Sequence, residues 1–63
     1  MSKTYAIITG ASEGIGLEFA KVLASQKYNL ILVARRESLL KKNAELISSL
    51  NNIDCKYIAL DLS

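Results

Sequence analysis

Histidine, proline and tryptophan are missing from this 63-residue sequence, and cysteine occurs once, at Cys55. Each absence removes a class of explanation. A lone cysteine forms no internal disulfide, and without histidine there is no Cys/His cluster to hold a structural zinc ion. No proline marks a linker, and nothing repeats or is of low complexity. No apolar run approaches the roughly 18 residues of a membrane span or the core of a signal peptide. The expected location is therefore the cytoplasm, where a reduced thiol packs as a small apolar group. Net charge is only +2, too little to point to nucleic acid or a membrane surface.

What is present is apolar: 51% of the residues are hydrophobic, enough for the core of one small domain and no more. Size works against that core. A chain of about 60 residues buries only about 60% of its unfolded surface. Below about 70 to 80 residues a core usually needs a staple or a partner. With disulfide and zinc excluded, self-association is the remaining support.

Glycine is scarce too, and all three fall in one stretch, Thr9-Gly10-Ala11-Ser12-Glu13-Gly14-Ile15-Gly16. The apolar run Tyr5-Ala6-Ile7-Ile8 leads in, and a helical pattern of Ile15, Phe19, Val22 and Leu23 leads out. A buried strand thus turns through glycines into a helix. The first turn of a helix has unpaired N–H groups and carries about half a positive charge from the macrodipole. Glycines let a phosphate approach the backbone there.

The rest of the chain continues the alternation. Lys3 to Thr9 reads as strand one, apolar on consecutive positions as in a parallel sheet buried on both faces. Helix one is expected over Ile15–Gln26, with the Ile15, Phe19, Val22 and Leu23 stripe in the core and Gly16 allowing close packing on the strand. Leu30 to Ala34 reads as strand two. Arg35-Arg36-Glu37-Ser38 opens helix two, whose core stripe is expected to be Leu39, Leu40, Ala44, Ile47 and Leu50, and Asn51-Asn52 stops it. Asp54 to Leu60 reads as strand three. The order is βαβαβ, an α/β class. Right-handed crossovers then give three parallel strands in the Rossmann-type order 3-2-1, with both helices on one face. The other face and the edge of strand one stay bare. A dimer or higher oligomer through one or both of them is the expectation.

The spacing Gly-x-x-x-Gly-x-Gly differs from the common G-x-G-x-x-G. Thr9, Gly10, Gly14 and Gly16 match position for position the Thr-Gly-x-x-x-Gly-x-Gly fingerprint of the short-chain dehydrogenase/reductases. The chain resembles that family through Leu30-Ile31-Leu32-Val33-Ala34-Arg35-Arg36 and on to Asp61-Leu62. The resemblance implies a dinucleotide cofactor. Gly10 would make the tight turn, Gly14 and Gly16 would admit the nucleotide, and the N–H of Ile15 would meet the diphosphate. Ser12 would bond the adenosine ribose or its phosphate, and Asp61, followed by Leu62, would meet the adenine amino group. Ala34 stands where NAD-preferring members carry an acid. Arg35 follows, as the basic residue does in NADP-preferring members, and Arg36 comes next. A guanidinium grips a phosphate by two parallel bonds. NADP is therefore expected, with NAD the alternative. Glu13 argues the other way, because its carboxylate repels a 2′-phosphate if it points inward.

The resemblance also implies that 1–63 is the N-terminal part of a longer NADP-dependent carbonyl/alcohol oxidoreductase. The family's catalytic acid is a Tyr in Tyr-x-x-x-Lys, helped by a Ser. Tyr5, Tyr28 and Tyr57 have no such Lys. No catalytic residue is expected within this stretch, which alone should be inactive. Two other readings stay open: a nucleotide- or phosphate-binding module without turnover, and an inert remnant stabilised by self-association.

Overall fold

The computed structural model describes residues 4–60. Five elements alternate along the chain: β1 (Tyr5–Thr9), α1 (Gly14–Ser25), β2 (Asn29–Ala34), α2 (Glu37–Asn51) and β3 (Cys55–Ala59). The strands form one parallel sheet in the order β1-β2-β3, with β2 in the centre. This is the Rossmann-type half expected from the sequence. Strand one and strand three are shorter than expected, and Lys3 lies outside the described residues.

Alternation along the strands sorts their side chains into two faces. Ala6 and Ile8 pair in register with Leu30 and Leu32, and these with Cys55 and Tyr57. All belong to, or pack on, one core cluster that also contains Ala20 and Ala24 of α1 and Leu40, Ala44 and Ile47 of α2. Both helices therefore cover this face. On the other face Ile7 and Ile58 remain exposed, at 69% and 50%.

The helix α1 packs differently from the expected stripe. Ile15 is 89% exposed, and Phe19 and Val22 are more than half exposed. The buried positions are Ala20 and Ala24, with Leu17 and Leu23 beside them. Gly16 explains the change. A Cβ built there would run into the backbone of Gly10, 2.8 Å from its carbonyl carbon and 3.0 Å from the Thr9 carbonyl oxygen. The helix axis lies so close to β1 that only small side chains fit beneath it. Gly16, Ala20 and Ala24, four residues apart, form that small ridge. The bulky residues turn outward instead, and Ile15, Gly16 and Phe19 line a shallow groove with Ile7, Ile8 and Thr9 along the β1 edge. Leu50 is a second correction, exposed at 74%, because the stripe through Leu40, Ala44 and Ile47 continues to the half-buried Asn51.

The connections explain themselves locally. The chain leaves α1 through paired bonds, Lys27 N–H to Ala24 O at 2.9 Å and Tyr28 N–H to Leu23 O at 3.2 Å, with Lys27 left-handed at φ 70°. Lys27 Nζ donates to the Asn51 carbonyl at 2.6 Å, supplying a cation to the negative end of α2. Asn52 takes the left-handed cap, φ 55°, as the Asn51-Asn52 stop signal implied. At the start of β2, the Asn29 side-chain oxygen accepts the Asp54 N–H at 2.9 Å, and the Asn29 N–H donates to Thr4 O at 3.3 Å. Tyr5 donates its hydroxyl to the Asp54 carboxylate.

Candidate functional site

The carboxyl ends of parallel strands are where an α/β sheet opens to a ligand. Here the turn after β1, the end of β2 and the end of β3 enclose a cleft of about 310 Å³, lined by Gly10, Ser12, Glu13, Ala34, Arg35, Arg36 and Leu60. Five candidate cofactor residues, Gly10, Ser12, Glu13, Arg35 and Arg36, thus come together, beside the Ala34 that stands in the acid's place. Gly14, Ile15 and Gly16 form the first turn of α1 immediately beyond. Asp61 and Leu62 lie outside the described residues. Leu60 was not singled out; its place one residue beyond β3, on the same sheet end as the glycine turn, is the signal that would have found it.

The turn needs its glycines for stated reasons. Gly10 and Gly14 have φ of 64° and 69°, a left-handed backbone that costs L-residues energy, and nothing lies within 4 Å of where their Cβ atoms would be. The backbone is therefore approachable from outside at both positions. Glu13 is the N-cap of α1 in extended backbone and makes no side-chain capping bond, and no acidic residue lies in the first turn. The positive end of the helix is left for an anion.

Across the cleft, Arg36 Nη1 stands 3.9 Å from Glu13 Oε1, with both side chains about 70% exposed. So open a pair contributes at most about 1 kcal/mol. Glu13 faces the second arginine rather than burying its charge in the cleft floor. No ion pair engages Arg35 among the described residues. The Ser12 carbonyl, in a residue only 8% exposed, accepts a bond from Asn43 Nδ2 of α2 at 2.9 Å.

Two other chemical groups stand apart from this cleft. The Cys55 thiol is pushed up to about 11, first by burial and then by the Asp54 carboxylate, so it stays protonated and a poor nucleophile. The Tyr5 hydroxyl is raised as well, chiefly by its hydrogen bond to Asp54. Among the described residues no three His, Cys, Asp or Glu side chains gather to hold a metal ion. No described helix is long and apolar enough to cross a membrane.

Three parallel strands, a glycine turn and an uncapped helix start define a nucleotide-binding type of α/β unit. Residues 4–63 match the family model for short chain dehydrogenases, and the chain belongs to that family. It is 49% identical over 59 residues to the very-long-chain 3-oxoacyl-CoA reductase of Kluyveromyces lactis, and 52% identical over 62 residues to that of Phaeosphaeria nodorum. These matches take in 94% and 95% of this chain but only 17% and 18% of those proteins. Among solved structures, the chain superimposes on an alcohol dehydrogenase from Thermococcus sibiricus complexed with 5-hydroxy-NADP, with a TM-score of 0.90 and 38% identity, covering 95% of this chain and 26% of that one. A short-chain dehydrogenase from Sphingobium yanoikuyae in complex with NADPH gives a TM-score of 0.92 and 32% identity, over 94% and 23%.

Proposed function

We propose that the chain is the N-terminal, cofactor-holding part of an NADP-dependent short-chain reductase, acting with the remainder of a longer protein on a ketone such as a long-chain 3-oxoacyl thioester. The observation that carries this reading is the cleft that joins the glycine turn to Arg35 and Arg36. Its two sides have the right chemistry and separate tasks. The first-turn amides of α1, the Ile15 N–H among them, suit a diphosphate, and Gly10 and Gly14 let it come near. Arg35 suits a 2′-phosphate, with Ser12 toward the ribose. Arg36, held near Glu13, offsets that carboxylate beside the incoming anion. Asp61 and Leu62 are assigned the adenine from the family pattern alone. With no acid at Ala34 to take a ribose 2′-OH, NAD is the weaker alternative. When bound, the cofactor supplies the hydride; these residues bind and orient it. The proton donor and the substrate pocket belong to the rest of such an enzyme, so 1–63 alone is inactive in this reading. The similarity to very-long-chain 3-oxoacyl-CoA reductases supports a thioester ketone as the substrate class. The free thiol of Cys55 suits a reducing compartment, which supports a cytoplasmic location.

Calorimetric titration tests the assignment. The chain is expected to bind 2′,5′-ADP more tightly than AMP, and Arg35→Ala to remove that preference, since a charge-assisted bond contributes about 1.5–3 kcal/mol, a factor of roughly ten or more. Equal affinity for the two nucleotides in the wild type would overturn the NADP reading.

The apolar surface supports self-association of the isolated chain. Ile7, Ile15 and Phe19 lie together at the open β1 edge. Burying them against a second copy is worth about 25 cal/mol per Å². Light scattering at micromolar concentration is expected to return a dimer or larger species, and a stable folded monomer would contradict this.

A further inference from the structure

We infer that Asn43 is a positioning residue for the cleft: from α2 it holds the glycine turn in the shape in which its amides meet a diphosphate. The inference rests on the nucleotide-binding reading above. The two glycines with positive φ, Gly10 and Gly14, bracket the segment Ala11-Ser12-Glu13, so the backbone there can swivel about both ends unless something pins it. Two bonds do so. The Ala11 N–H donates to the Val33 carbonyl of β2 at 3.3 Å, and Asn43 Nδ2 donates to the Ser12 carbonyl at 2.9 Å across 31 positions of sequence.

The carbonyl belongs to a residue 8% exposed and next to the fully buried Ala11, so water does not readily replace the amide. Asn43 is half-buried between the core residues Leu40 and Ala44, where an apolar side chain would have extended the stripe. A short amide there gives up apolar burial for one directed bond. The helix that carries it begins directly after Arg36. The same rigid element therefore leads out of the arginines and grips the turn opposite them, and Asn43 sets the spacing between the diphosphate side and the 2′-phosphate side.

The test uses the full chain with Asn43→Leu, which keeps the γ-branched skeleton and removes the donor, and Asn43→Asp, which keeps the shape and presents an acceptor to the carbonyl. NADP+ spans both sides of the cleft, whereas 2′-AMP reaches only the arginine side. In both variants the affinity for NADP+ is expected to fall about tenfold, the scale of a small misplacement of binding groups, with that for 2′-AMP unchanged. Hydrogen exchange at the Gly14 and Ile15 amides is expected to quicken, and the melting temperature to fall modestly because the Ser12 carbonyl loses its partner, with the fold that binds 2′-AMP retained. Loss of both ligands together with a lower melting temperature, or unchanged NADP+ binding, overturns the positioning role while the nucleotide reading stands. Failure of the wild type to bind either ligand overturns both.

Discussion

Gly16→Ala is expected to cost the chain both stability and cofactor. In an ordinary helix the exchange would stabilise by up to about 1 kcal/mol, because alanine is the better helix former. Here the added methyl meets backbone, the Gly10 carbonyl and the Thr9 oxygen, which no rotamer change can move aside. Overpacking of this kind costs about 1–3 kcal/mol and reverses the sign. For a domain of this size each kcal/mol lowers the melting temperature by roughly 4–8 °C. The clash also levers the start of α1 away from the turn, so NADP+ affinity is expected to drop by about tenfold or more. Thermal melting and calorimetry on one preparation check both effects; a variant that melts and binds like the wild type would show that the helix does not lie against β1 as described.

The largest loss of stability is expected from Leu40→Ala. Leu40 is fully buried under both helices' shared core, and truncating such a leucine costs about 2–5 kcal/mol in transfer and cavity terms. Small domains have about 5–15 kcal/mol in all, and one this short lies toward the lower end. Leu50→Ala is the control, since Leu50 is 74% exposed and surface substitutions usually stay within about 0.5 kcal/mol. Urea unfolding separates the two: the midpoint is expected to move far for position 40 and little for position 50. Comparable shifts would mean that Leu50 is covered in solution, which self-association would bring about.

Leu40 and Leu50, both expected in the core, show where sequence reasoning held and where it failed. The element order and strand topology were legible because uninterrupted apolar runs, a glycine turn and an asparagine stop each allow few conformations. The cleft was legible for the same reason: its glycines are set by backbone geometry, and the arginines follow directly from the end of β2. Which side of α1 faces the sheet was not. The apolar arc of that helix is wide, broken only by Glu18, Lys21 and Ser25 on one side, and bulk alone favoured Ile15, Phe19 and Val22. The deciding fact was distance: Gly16 touches Gly10, so alanines must lie beneath. Asn43 was overlooked because its partner is a backbone carbonyl 31 positions away, and nothing in a linear pattern links the two.

Asn29 has a further consequence. It is stitched to both neighbours at once, by its N–H to Thr4 and its side chain to Asp54, at the end of the sheet remote from the glycines. A one-residue slip of a strand would turn Leu30 and Leu32 outward, so this anchorage guards the alignment of the whole sheet. The pairing of the three strands is thus secured at one end independently of the glycine turn at the other.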